Sequence, residues 1–237
     1  MNKVYAYDVS TNNFRIFQSA DEWKTQMTLE GAKAYLTHHL VESLNSEFPT
    51  AIEAYHEASY TTGTGKGFFS LLRIIFPTIT FLGTLYKGND LSRNAVSFMR
   101  AYMGKADPKY RHLSDLIYTV YRHGLMHTHM PKVFELDEKF VGWKITYDDD
   151  KHLKVFKSKT EVSIPISPNR LFKDLLRALK GYIGDFDDPR KNEELLKNFK
   201  EGFAGMSAVL DQSELSVRGC RTGVLYIKSL GERDRDE

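Results

Sequence analysis

Tyr118-Thr-Val-Tyr-Arg122-His123-Gly124-Leu-Met-His127-Thr-His129-Met-Pro131-Lys132 is the stretch on which the fold turns. It opens as an amphipathic helix. Leu113, Leu116, Ile117, Val120, Tyr121, Gly124 and Leu125 recur at spacings of three and four, so one buried stripe runs into it from upstream. It closes as a turn, because Gly124 weakens a helix and Pro131 cannot continue one. One arginine, three histidines and a lysine crowd into this helix end. After Pro131 the hydrophobic period changes. Val133-Phe-Glu-Leu136, Val141-Gly-Trp-Lys-Ile-Thr-Tyr147, Leu153-Lys-Val-Phe156 and Val162-Ser-Ile-Pro-Ile166 alternate as strands do, with Asp148-Asp-Asp-Lys151 as a turn. They predict a small antiparallel sheet. Pro165 predicts an edge or a strand end there.

Upstream, the pattern is mostly helical. Val4–Val9 and Phe14–Phe17 flank the polar Ser10-Thr-Asn-Asn13 and predict a short hairpin. Ser19 or Asp21 then caps a helix carrying Trp23, Met27, Leu29, Ala32, Tyr35 and Leu36, which continues through Leu44 and Phe48. Pro49 is expected to interrupt it, and Ala51–Tyr60 to form a further helix. Phe68–Leu85 reads as a buried helix broken or kinked near Pro77, and Leu91–Met103 as another. Downstream of the strands, Ser167-Pro168 starts a helix through Ile183. Asn192 to about Leu210 forms the last long helix, and Val224-Leu-Tyr-Ile227 suggests a strand joining the sheet. The expected fold is mainly α (α+β): a helical bundle with a small antiparallel sheet. One domain spans 1–237, with residues 18–132 and 167–210 as helical core and 133–166 as a β-hairpin insertion.

Composition narrows the classes. The 237 residues hold 33 basic and 31 acidic side chains, so the net charge of +2 does not mark a globally basic nucleic-acid binder. Lys105, Lys109, Arg111 and Lys132 flank the central motif and outnumber Asp107 and Asp115. They can steer phosphates, or they can form a solvated helix face. The single cysteine, Cys220, excludes an intramolecular disulfide and suits a reducing cytosol. The N-terminal residues lack an apolar signal core, and the run Phe68–Leu85 contains Arg73 and Pro77. No membrane association and a cytoplasmic location are therefore expected. Thr61-Thr-Gly-Thr-Gly-Lys-Gly67 resembles a phosphate loop only in Gly65-Lys66. Position 60 is Tyr and position 67 is Gly, so a turn between helices is the plainer reading.

The chemistry gathers at the central motif. Arg122 carries a permanent charge on a planar fork that suits phosphate. His127 titrates near neutrality and can move a proton. Together they form a minimal kit for cutting RNA, whose 2′-hydroxyl is an internal nucleophile; no metal is required. On a continuous helix the two lie about 140° apart. They converge if the helix ends near Gly124, or if a second copy of the chain supplies one of them. Arg122 can equally pair with Asp115, and His123 and His127 can cap a helix C-terminus. A zinc site built on His123, His127 and His129 lacks a neighbouring Glu, so no metal and no cofactor are expected.

Arg122-His123-Gly-Leu-Met-His127 resembles the Arg-x4–6-His signature of HEPN domains, the higher eukaryote and prokaryote nucleotide-binding superfamily. His123 fits the polar position that follows the Arg. The resemblance covers these six residues and implies a helical core and a homodimer with a composite cleft. It implies metal-independent endoribonuclease activity, with Arg122 and His127 catalytic and His123 supporting. RNA is then the partner, with Lys132, Arg111, Tyr118 and His129 as candidate RNA-binding residues. A toxin or antiphage role, with an antitoxin or regulatory protein as further partner, follows by analogy. Other members are non-catalytic, so a dimeric protein- or RNA-interaction module is the alternative.

Overall fold

The structure is a computed structural model that describes residues 3–62, 68–123, 133–210, 212–218 and 222–225. The chain divides into two compact units: Met1–Gln26 with Ser207–Glu237, and Met27–Met206.

In the smaller unit, the predicted hairpin forms from β1 (Val4–Asp8) and β2 (Asn13–Phe17), antiparallel with Tyr5 opposite Ile16. Asp8 locks it. The carboxylate accepts from Ser10 N and Oγ and from Arg15 Nε at 2.5 Å, and these bonds hold it below the usual carboxylate range, the Ser10 hydroxyl most strongly. Helix α1 (Ala20–Gln26) closes the hairpin: Trp23 is buried and donates Nε1–H to the Tyr7 carbonyl. The free edge of β1 meets residues 207–209, with Tyr5 N donating to Ser207 O and Val209 N to Lys3 O.

The larger unit is mainly helical, as expected. Its first helix does not run on from α1. Thr28 breaks the chain into extended backbone and caps α2 (Leu29–Ala34), its hydroxyl accepting from Gly31 N. The helical path continues through a π-helical segment, Tyr35–Val41, into α3 (Glu42–Thr62). Pro49 lies inside α3 and does not end it. Along the helix here, the Ser46 and Thr50 hydroxyls donate back to the Ser43 and Ser46 carbonyls. Likewise α4 (Phe68–Lys87) passes through Pro77 unbroken. One missing hydrogen bond is outweighed where a helix is buried along its length, and Leu71, Leu72, Ile75, Phe76, Ile79, Leu82 and Leu85 are all in the core.

Two close approaches hold α4 in place. Gly83 abuts the backbone of Asn94 and Ala95 in α5 (Ser92–Phe98). After α5 come a π-helical segment, Met99–Met103, and the short α6 (Gly104–Ala106). α7 (Tyr110–Ile117) follows and runs into a third π-helical segment, Tyr118–His123. α8 (Pro168–Asp185) starts at the predicted Ser167-Pro168 cap, with Ser167 Oγ accepting from Arg170 N. α9 (Asn192–Met206) lays Gly202 on the Thr84 carbonyl of α4. It ends earlier than expected, because residues 207–209 pair with β1.

The region after Pro131 forms a sheet of order β3–β4–β6–β5, built from Phe134–Leu136, Lys139–Ile145, Glu161–Ile166 and Phe156–Lys157. Asp137 and Glu138, at φ 50° and 60°, make the tight β3–β4 hairpin. The expected all-antiparallel sheet is corrected at its centre, where β4 and β6 are parallel. The cause is the link between them. Asp148–Lys151 is no hairpin turn: Asp148 caps a single 3-10 turn at Asp149–Lys151, and His152 is then buried. The chain instead travels the length of β4 before β6 begins. The edge expected at Pro165 is corrected: the proline is buried, pairs with Lys144 of β4, and beyond the end of β5 its carbonyl accepts from Leu153 N at 2.8 Å.

Beyond α10 (Gln212–Val217), residues 222–225 are helical, so the first half of the expected strand Val224–Ile227 is corrected to helix. Four residues satisfy a helical turn locally, whereas a strand needs an edge to pair with. Among the described residues, no helix is long and apolar enough to cross a membrane.

Candidate functional site

The central helix end is braced at two points. Tyr118 is 2% exposed; its hydroxyl shares a hydrogen bond with Thr80 Oγ1 of α4 at 2.8 Å, and its ring meets Phe76 edge-on. Tyr121 is 1% exposed and reaches the sheet, donating to Ile164 O at 2.8 Å and accepting from Lys144 N at 3.2 Å. One tyrosine therefore fixes the segment to α4 and the other ties it to both β4 and β6. Between these anchors Val120 is buried, and immediately after them stands Arg122.

Arg122 is half-buried, with its guanidinium 5.9 Å from the centre of the Tyr118 ring. At that distance the ring face makes a cation–π contact with the guanidinium. The segment is π-helical, a geometry that recurs as single turns at functional sites. Its last residue is His123. His127, His129, Pro131 and Lys132 lie outside the described residues. Asp115, a candidate partner for Arg122, is instead bonded to Arg100 at 2.8 Å.

Tyr118, a candidate RNA-binding residue on the sequence, has no ring face open to a ligand at this burial. Arg111 is exposed on α7, its stem packed against Gly104. Of the flanking cations, Lys109 faces Asp107 at 3.5 Å and Lys105 faces Asp185 at 3.5 Å, so each meets a carboxylate. His38 pairs with Glu42 at 2.8 Å on an exposed face, and His39 stacks on Tyr35.

A second titratable cluster carries no sequence signature. His152 is 3% exposed. Its Nδ1 accepts from the Ser167 backbone N–H at 3.0 Å, so a neutral ring must carry its proton on Nε2. Nε2 lies 2.8 Å from the Tyr110 hydroxyl, which in turn donates to Asp174 Oδ2 at 3.3 Å. Arg170 Nε closes the chain on both Asp174 oxygens at 3.1 Å. Burial pushes His152 down to about 4 and raises the Asp174 carboxyl against the pull of Arg170. Nearby, Asp149 accepts from Ser167 Oγ, Asn169 Nδ2 and Lys173 Nζ at the start of α8. These residues come from α7, the β4–β6 link and α8. Spread over 65 positions of chain from Tyr110 to Asp174, they leave no local spacing to detect.

No family model, no curated protein and no solved structure matches the chain.

Proposed function

We propose that this chain is a metal-independent endoribonuclease of the HEPN type, acting through Arg122, His123 and His127. Arg122 holds the scissile phosphate and stabilises the charge that builds on it. His127 transfers the proton of the attacking 2′-hydroxyl, and His123 orients one of the two. A cyclic phosphate is the expected product. The observation that carries this reading is the bracing of Arg122: a half-buried cation on a π-helical segment, held by Tyr118 and Tyr121, with histidines one and five residues further on. Preorganised charge of this kind is what phosphoryl transfer needs. A homodimer, a cytoplasmic setting, an antitoxin or regulatory partner and a role in toxin or antiphage defence belong to the same proposal. The ring contact between Arg122 and Tyr118 also favours a second reading, a non-catalytic dimeric module that binds protein or RNA, in which Arg122 serves packing.

Purified protein incubated with labelled RNAs in EDTA separates the two. The wild type is expected to cleave, and Arg122→Ala and His127→Ala proteins of unchanged circular dichroism to lose at least about a hundredfold in rate. Cleavage that survives both substitutions, or none at all across a mixed RNA set, rejects the nuclease assignment.

A further inference from the structure

We infer that Arg73 of α4 is a second phosphate-binding residue of the Arg122 site, gripping the RNA backbone at the phosphate next to the one that Arg122 holds. The inference rests on the nuclease reading for the nature of that strand. The contacts between α4 and the π-helical segment Tyr118–His123 place Arg73. Tyr118 shares its hydrogen bond with Thr80, while Phe76 meets Tyr118 edge-on at 6.4 Å and stacks on Tyr121 at 6.1 Å. Numbers fall along α4 as they rise along the segment, so the two run antiparallel. Arg73, Phe76 and Thr80 stand at i, i+3 and i+7 and share one side of α4. One turn beyond Phe76 on that side is Arg73, and one turn beyond Tyr118 is Arg122. Both arginines therefore stand at the same end of this helix contact.

Charge, burial and direction suit this pair to a phosphodiester strand. Neither α4 nor the π-helical segment contains an acidic residue, so the two elements bring two guanidinium groups together and no carboxylate of their own. Asp115, the acidic residue nearest upstream in the chain, is bonded to Arg100. Arg73 is half-buried, with its Nε out of water. A guanidinium drawn out of water attracts an anion more strongly than one in bulk solvent, and its planar fork matches phosphate oxygens. Side chains on a helix lean towards its N-terminus. Arg122 does so, its guanidinium lying 5.9 Å from the centre of the Tyr118 ring. Arg73, on the antiparallel element, leans the opposite way. The two forks thus spread along the helix pair and meet successive phosphates, not one. Arg122 takes the phosphate that reacts, and Arg73 takes a neighbour that does not.

Binding and cleavage are measured separately on full-length wild type and on Arg73→Gln protein of unchanged circular dichroism. Each is titrated into a labelled 2′-O-methyl RNA, which cannot be cut through its 2′-oxygen. Arg73→Gln is expected to weaken binding by about tenfold and to reduce the salt slope of log K by about 0.7. Arg73→Lys, which keeps the charge and loses the fork, is expected to keep that slope. Cleavage in EDTA is then followed on a longer unmodified RNA and on a dinucleoside monophosphate, which carries only the scissile phosphate. On the longer RNA Arg73→Gln is expected to raise KM by about tenfold with kcat unchanged, and on the one-phosphate substrate to match wild type. A wild type that binds no RNA overturns the inference, as does an Arg73→Gln protein with wild-type affinity and salt slope. So does an equal loss on both substrates, which assigns Arg73 to packing. RNA that binds with an Arg73-dependent salt slope and is not cut rejects the nuclease reading and leaves the phosphate site standing. RNA that is cut equally well by Arg73→Gln does the reverse.

Discussion

At the scale of single residues, His152 shows how burial converts an ordinary histidine into a structural part. Its Nδ1 is occupied by the Ser167 N–H and its Nε2 by Tyr110, so a second proton would break one of the bonds. In the folded chain it stays neutral down to about pH 4, whereas the unfolded residue protonates near 6.5. A depressed histidine pKa favours the unfolded state as protons are added. The stabilising contribution is therefore complete above about pH 6.5 and is lost as pH falls from there to about 4. The loss is on the order of 3 kcal/mol. Asp174 acts in the opposite sense: its raised carboxyl takes up a proton more readily when folded, which favours the native state as pH falls further. Urea unfolding at pH 7, 5.5 and 4.5 checks this. The wild type should lose stability across that window more steeply than His152→Gln, and equal slopes would show that His152 does not set the dependence. Arg122 is legible as a candidate from sequence alone, because a motif is local. The His152–Tyr110–Asp174 chain is not, because its members meet only after α7, the β4–β6 link and α8 have packed together.

At the scale of elements, prolines and glycines mislead or inform according to their surroundings. Pro49 and Pro77 read as helix breaks, yet both helices continue, and in α4 burial along the helix outweighs the one lost bond. Glycines in α9 divide in the same way. Gly202 lies against the Thr84 carbonyl, whereas Gly205 is exposed with nothing within 4 Å of where a Cβ would stand. Gly202→Ala is expected to destabilise the chain by about 1–3 kcal/mol through overpacking of α9 on α4. Gly205→Ala is expected to stabilise it by about 0.5–1 kcal/mol, because alanine favours the helix and loses less entropy on folding. Chemical denaturation of the two proteins measures both signs; a destabilised Gly205→Ala would contradict the open surroundings of that site. The Ser167-Pro168 start of α8 was readable because a cap is a local hydrogen bond, between Ser167 Oγ and Arg170 N.

At the scale of the whole molecule, the proposed site raises a question of stoichiometry. Arg122 and His127 are five residues apart, and a second copy can supply the missing partner. If each site takes Arg122 from one chain and His127 from another, mixing inactive Arg122→Ala and His127→Ala proteins restores a site in every mixed dimer. Random exchange then predicts recovery of about a quarter of wild-type RNA cleavage, in proportion to mixed dimers formed. Both residues acting within one chain predict no recovery, and a cleavage assay after co-refolding the two proteins distinguishes these outcomes.

The sequence by itself determined the mainly helical class, the β1–β2 hairpin, the α8 cap and the change of hydrophobic period after Pro131. These rest on periodicities and caps that act over a few residues. Only the tertiary structure decided the parallel pairing of β4 with β6, the continuity of α3 and α4 through their prolines, and the pairing of residues 207–209 with β1. It also decided that Tyr118 is core while Phe140 and Phe156 are exposed. Which face of a strand meets solvent, and which strand lies beside which, depend on burial and backbone hydrogen bonds between segments far apart in the chain. No local pattern encodes those choices, because each is made by the free energy of the packed whole.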